Sequence, residues 1–184
     1  MEFEERVTSS EQIYSGHILS LEKQRVVTPG GKEATREIVH HAPAIALLMI
    51  TNDHKMILEQ QWRAPVKKVT FEIPAGKVDS RDNGDILHAA TREMNEETRL
   101  QAQTLLKVAA TFSSPGFTDE QITLFYATDL SEVKRQLPQD DDEKIHLITV
   151  SLDEALTMIR EGKIDDMKTV MAIYYWAQKE KMHE

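Results

Sequence analysis

Three carboxylates, Glu93, Glu96 and Glu97, stand at i, i+3 and i+4. On a helix, at ~100° per residue, they share one arc of roughly 100°. Like charges at these spacings repel by about 0.2–0.5 kcal/mol per pair. Arg92 offsets part of this through its i+4 neighbour Glu96. A hard divalent cation offsets more, because Mg²⁺ prefers carboxylate oxygens and leaves positions for water and substrate phosphates. A bare E-x-x-E-E run reads as a solvated acidic face. Its surroundings carry the reading further.

The elements that must place these acids are legible around them. Glu72-Ile73-Pro74-Ala75-Gly76 is a short apolar segment stopped by Pro and Gly, and residues 77–84 are a polar loop. Asp85 is a plausible N-cap for a helix running to about Thr98, with Leu87, Ala90 and Met94 as its core-facing stripe. Upstream, residues 4–40 read mostly as strands. A turn at Pro29-Gly30-Gly31 lets Thr35–His40 pair back as a hairpin. Ala44–Thr51 suits a buried strand, Lys55–Trp62 returns as the next, and Phe71–Ile73 is a third. Leu105–Ser113, Gln121–Thr128 and Ile145–Val150 complete the strands. Ser151-Leu152-Asp153-Glu154 has capping-box form and opens one helix; a last helix starts near Asp166. By pattern alone the fold class is α+β or mixed α/β.

Composition narrows the function classes. A chain of 184 residues suffices for one domain with a small extension. A net charge of −9 argues against nucleic acid or an anionic membrane as partner. A phosphate-ester substrate would also be repelled unless bound cations invert the local charge. The chain has no cysteine, hence no disulfide framework and no thiol catalysis. The N-terminus lacks signal-peptide regions, and the longest apolar run, Ala42–Ile50, is nine residues, short of a membrane span. A soluble, cytoplasmic protein is the expectation.

Gly76, Arg92-Glu93-Met94-Asn95-Glu96-Glu97 and Leu100 resemble the Nudix hydrolase signature, G-x5-E-x7-R-E-U-x-E-E-x-G-U, with U a bulky apolar residue. The core R-E-U-x-E-E is intact. The loop before it is two residues longer than the pattern. Counted from Gly76 the first Glu falls on Asp82; counted back from Arg92 it falls on Gly84. The pattern's later Gly is Arg99, at a helix C-terminus where Gly eases a left-handed turn.

The resemblance implies an α/β/α sandwich with a mixed sheet plus an N-terminal antiparallel β extension. It divides the chain into residues 1–41, a β extension through which members of the ADP-ribose pyrophosphatase branch dimerise, and residues 42–184, the Nudix hydrolase domain. It implies hydrolysis of the pyrophosphate bond of ADP-ribose or a related nucleoside diphosphate sugar by a homodimer, with Mg²⁺ or alternatively Mn²⁺ as cofactor. Metal ions neutralise a diphosphate's charge and lower the pKa of a bound water. By family position, metal binding goes to Glu93, Glu97, Glu96 and the Ala75 carbonyl, with Arg92 and Glu96 counted among the catalytic groups. The base falls in the acidic run before an apolar strand, on Glu143, with Asp141 second. Gln61-Trp62-Arg63 resembles the branch's Q-Y-R strand end, whose Arg meets phosphate. Arg36-Glu37, Glu72, Ser114-Pro115-Gly116 and Glu120 resemble its other substrate contacts. Each alone is solvated surface more often than site; their joint order favours a nucleotide sugar. His40, His41 and His88 are read as structural. The alternative function is a catalytically weak Nudix-type sensor that binds a nucleotide sugar. The doubtful first Glu keeps it open, and three mutually repelling carboxylates argue against it.

Overall fold

A computed structural model of the chain describes residues 2–139 and 144–182. The Cα positions divide into two units. The first runs up to Pro43 and takes in Thr111–Ile122; the second holds Ala44–Ala110 and the chain from Thr123 onward.

In the first unit, β1 (Arg6–Ser15), β2 (Leu19–Val27) and β3 (Glu33–His41) form an antiparallel sheet in the order β1-β2-β3. The expected Pro29-Gly30-Gly31 turn joins β2 to β3, with Gly31 at φ 77°, a conformation that glycine adopts without strain. Strand β1 is exposed along its whole length. Its register slips past Thr8 and again past Ile13, two bulges in one edge strand. The Thr8 hydroxyl donates to the Arg25 carbonyl at 3.1 Å across the first of them. The Ser114–Glu120 loop lies along β3: Val39 N–H donates to Phe117 O at 2.7 Å and Asp119 N–H to Val39 O at 3.3 Å. His40 is structural, as expected from sequence. Its Nδ1 meets Asp119 at 2.5 Å and its Nε2 meets Glu22 at 2.6 Å. The Asp119 carboxylate, then that of Glu22, holds its pKa above the ordinary imidazole value.

The second unit is layered about one strand. Its strands are β4 (Ala44–Met49), β5 (Met56–Arg63), β6 (Lys68–Glu72), β7 (Ala75–Lys77), β8 (Leu100–Phe112), β9 (Gln121–Glu132) and β10 (His146–Val150), the far ends of β8 and β9 belonging to the first unit. Its helices are α1 (Ile86–Thr98), α2 (Leu152–Arg160) and α3 (Met167–Lys181). The sheets run β7-β4-β9-β8 and β10-β5-β6. All six residues of β4 are buried. Successive strand side chains point to opposite faces. Ile45, Leu47 and Met49 pack with Ala89, Ala90 and Met94 of α1 and with Phe125 and Ala127 of β9. Ala44, Ala46 and Leu48 must then face the other way, where α3 packs on β4. The same alternation sends Tyr126 of β9 toward α3, edge-on to Tyr175 with ring centres 6.1 Å apart. The result is the mixed α+β sandwich expected, with a helix on each face.

Differences from the sequence reading are local. Ala75–Lys77 forms the short strand β7, running from the end of the apolar segment into the first residue of the expected polar loop, and Ser80–Asp82 forms a single 3₁₀ turn inside that loop. Strand β8 begins at Leu100 rather than Leu105. Leu87 does not join the core stripe of α1: it is 52% exposed, and Ile86 and Ala89 take its place. Asp85 caps α1 as expected, accepting from Leu87 N–H at 2.8 Å and His88 N–H at 3.3 Å. At the other end Arg99 adopts the left-handed conformation, φ 63°, that glycine would take with least strain. Its guanidinium donates to the Leu137 carbonyl, a contact glycine could not make.

Candidate active site

The acidic face of α1 is not a solvated surface. Arg92, Glu96 and Glu97 are all under 10% exposed. The packing of α1 on β4 and β7 pulls this stretch inward, so its charges must find partners. Arg92 supplies them. Its Nη1 donates to Glu93 Oε1 and to Glu96 Oε2, both at 2.8 Å, and its Nη2 donates to the Lys77 carbonyl at 3.0 Å. Arg81 adds a donor to the other oxygen of Glu96 at 3.1 Å.

The remaining edge of Arg92 decides between Asp82 and Gly84. Nε and Nη2 form a fork on Asp82, at 2.9 and 2.8 Å, and the Asp82 side chain is fully buried. Of the two, Asp82 is therefore the one that brings a carboxylate to Arg92. The 3₁₀ turn carries it there: Asp79 caps the turn, and Asp79 N–H donates back to Asp82 at 3.0 Å. Gly84 follows at φ 78° and contributes no carboxylate. The Arg92 fork holds the Asp82 carboxyl well below the usual range against the opposing effect of burial. His88 completes the cluster, its Nδ1 2.8 Å from Asp82. Its reading as structural agrees with this geometry, though the partner was not legible.

Gly76 lies directly under Glu93. A Cβ built there would meet Glu93 Cδ at 2.0 Å and Oε1 at 2.1 Å. The backbone next to the Ala75 carbonyl and the first acid of the helix thus occupy one tight space, which a side chain at position 76 would take from the Glu93 carboxylate. The donors gathered here are carboxylates and a carbonyl, with no sulfur, which suits a hard divalent cation. Among the described residues no three ligands converge at metal distance, and Glu93 and Glu96 turn toward Arg92. The far end of Glu93 is flexible, so Gly76→Ala is expected to move that carboxylate rather than unfold the chain. Stability should change by no more than about 1 kcal/mol, while the concentration of divalent cation needed for half-saturation should rise about tenfold or more. Urea unfolding beside a metal titration checks both halves.

A second charged cluster sits at the end of β5 and β6. Glu72 is 3% exposed. Arg63 forks on it through Nε and Nη2, both at 2.7 Å, Thr70 donates at 2.6 Å, and Lys168 of α3 also donates. Burial alone would raise the Glu72 pKa, but Arg63 and Lys168 outweigh it and hold it at about 2 against an ordinary 4.5. The linkage sign follows from that direction. The extra stability is full above about pH 4.5 and is lost as pH falls through about 2. It amounts to about 3 kcal/mol. Urea midpoints followed downward from about pH 5 should fall less steeply in Glu72→Gln than in wild type.

In the first unit, Arg36 forks on Glu5, with Nε to Oε2 at 2.9 Å. Glu37 is its neighbour on β3. Glu120 lies 3.2 Å from His41 Nδ1, and Ser114 O accepts from Phe117 and Thr118 N–H at 3.1 and 3.0 Å, closing the turn that contains Gly116. Asp141 and Glu143 lie outside the described residues. Asn95 of α1 and Arg99 at its C-cap hold the 135–137 segment: Asn95 donates to Arg135 O at 2.9 Å and accepts from Leu137 N–H at 3.0 Å, and Arg99 donates to Leu137 O.

Comparison with known proteins now settles the kinship. Residues 40–172 match the NUDIX domain model, and residues 5–39 match the nucleoside diphosphate sugar hydrolase N-terminal domain. The chain belongs to the Nudix family. It is 39% identical over 180 residues to the methanol dehydrogenase activator of Bacillus methanolicus, covering 98% of this chain and 96% of that one. It is 37% identical over 179 residues to the ADP-ribose pyrophosphatase of Bacillus subtilis, covering 97% and 96%. The fold also matches a crystal structure of an ADP compounds hydrolase, with TM-score 0.86 at 16% identity over 98% of this chain and 96% of that one. The Nudix motif thus sits on the Nudix fold. Lys168, the donor to Glu72 from α3, is a residue that the motif did not reveal; it lies far along the chain in an ordinary helix start, with no local signal of its own.

Proposed function

We propose that this Nudix hydrolase cleaves the pyrophosphate bond of ADP-ribose or a related nucleoside diphosphate sugar, giving a nucleoside monophosphate and a sugar phosphate. The observation that carries the reading is the Arg92 cluster. One buried guanidinium gathers Asp82, Glu93 and Glu96, and Glu93 lies against the backbone at Gly76. The pairing with a nucleoside diphosphate sugar hydrolase N-terminal domain, and the B. subtilis relative's name, favour the substrate class. Glu93, Glu97 and the Ala75 carbonyl would hold Mg²⁺, or alternatively Mn²⁺, with Glu96 beside them. A divalent cation there supplies charge neutralisation of the diphosphate and a more acidic water. Water attacks one phosphorus as the bridging P–O bond breaks. Glu143, or Asp141, takes the water's proton, and the negative charge leaves with the departing phosphate. Arg92 acts by positioning the acids. Arg63 meets the diphosphate, its charge held in place by Glu72; Arg36, Glu37, Ser114, Gly116 and Glu120 serve the rest of the nucleotide sugar.

We further assign the sheet β1-β2-β3 as the face through which two copies form a homodimer in the cytoplasm. Among the described residues no helix is long and apolar enough to cross a membrane. Incubation with ADP-ribose and Mg²⁺, followed by product analysis, tests the reaction. AMP and ribose 5-phosphate are expected. Binding without any product would replace the reading with a nucleotide-sugar sensor.

A further inference from the structure

The first turn of α3 is wired into the strand that leads to the metal-binding stretch. Asp166 caps the helix, accepting from Thr169 N–H at 3.0 Å and from its hydroxyl at 2.5 Å. The buried Thr169 hydroxyl in turn accepts from Ile73 N–H at 2.9 Å. Between them Lys168 reaches Glu72 and, at 3.1 Å, Asp166. Glu72 is opposite Glu59 across β5 and β6, and Glu59 is fully buried. Residues opposite each other share a sheet face, so two buried carboxylates crowd this end of the sheet. Two cations answer them. Lys168 is nearly buried, its side chain 13% exposed; Arg63 is 41% exposed. Arg63 is bound through its Nε/Nη2 edge. In a planar guanidinium the Nη1 group then projects away from Glu72.

We propose that Lys168 is a positioning residue for substrate binding: by holding the Glu72 carboxylate it fixes Arg63 with its Nη1 group outward, toward a diphosphate. Without Lys168, Arg63 is the remaining cation among the described residues, beside the neutral Thr70 hydroxyl, for a carboxylate that faces a second one. Its guanidinium is drawn inward, and less of its charge is left for an anion. Lys168 does this from a helix that contributes none of the signature residues. The proposal rests on the reading of Arg63 as the diphosphate contact.

The test is a double-mutant cycle on Arg63→Ala and Lys168→Met, reading KM, kcat and the dissociation constant of ADP-ribose. Lys168→Met should raise KM and the dissociation constant about tenfold with kcat within about twofold, and Lys168→Arg should restore most of the loss. In the Arg63→Ala background the same change should add nothing further, because it acts through Arg63. A wild-type dissociation constant unchanged by Lys168→Met, or an equal loss with Arg63 already removed, overturns the proposal. If Arg63→Ala alone leaves binding untouched, the diphosphate role of Arg63 falls and this inference with it. Because binding is measured directly, absence of turnover on ADP-ribose would count against the proposed reaction and leave the positioning role standing on its own result. Lys168→Gln, a smaller perturbation with the same loss of charge, carries the same outcomes should the Met variant fail to fold.

Discussion

Glu97→Gln is expected to lower Mg²⁺-dependent turnover by about 10³-fold or more, equivalent to ~4 kcal/mol in the barrier, without loss of stability. Glu97 stands one helical turn beyond Glu93 and is only 8% exposed. The amide keeps the size of the side chain and removes its charge. Without that charge the site binds a divalent cation weakly, and the diphosphate's repulsion of a nucleophile goes unanswered. Stability should hold or rise by a few tenths of a kcal/mol, because one of three like charges on α1 is gone. A merely destabilising substitution would show the opposite pattern. Steady-state rates across a Mg²⁺ titration, with urea unfolding of the same samples, separate the two. Unchanged metal dependence in the variant would remove Glu97 from the metal site.

Arg92→Leu should produce the largest loss of stability. The side chain makes five hydrogen bonds, to Asp82 twice, to Glu93, to Glu96 and to the Lys77 carbonyl. Its removal strands the fully buried Asp82 carboxylate with, among the described residues, His88 and the Asp79 N–H beside it. Breaking one partner of a buried pair costs about 3–5 kcal/mol. Arg92→Lys is not a mild version, because an ammonium cannot fork on Asp82 and reach the glutamates as well. Asp82→Asn in the same chain should recover part of the loss, since it takes away the stranded charge. Chemical denaturation of the two single variants and the double variant gives the coupling. Simple additivity would mean that Arg92 and Asp82 do not act as a pair.

How much of this was legible in the sequence depended on how local each signal was. Asp85, the acid spacing and the residues around Met94 marked α1 well, because capping and periodicity act within a few residues. Leu87 was misplaced: a stripe inferred from a 3.6-residue period has soft edges, and here the buried arc turned toward Ile86 and Ala89. Asp82 could not be chosen over Gly84 by counting, because a 3₁₀ turn within the longer loop sets where the carboxylate arrives. Arg99 stood out as a departure from the pattern, yet its hold on Leu137 lies 38 residues downstream. Lys168 meets Glu72 across 96 residues, a pairing made by the packing of α3 and invisible to any short window. The run of acids, concentrated in one helix, was easier to read than the charge pairs supporting it.

The two bulges in β1 bear on what can pair with its open edge. A ten-residue edge with every side chain exposed, Val7, Ile13 and Tyr14 among them, is the kind of surface on which foreign strands stack into aggregates. The extra residues at Thr8 and Ile13 interrupt its regular spacing of donors and acceptors. Bulges also sharpen the local twist, so a straight, regular strand finds only a few consecutive bonds before it falls out of step. A gatekeeping function of this kind has no place in the chemistry at α1. It would show instead in how concentrated a solution of the protein can become before it clouds.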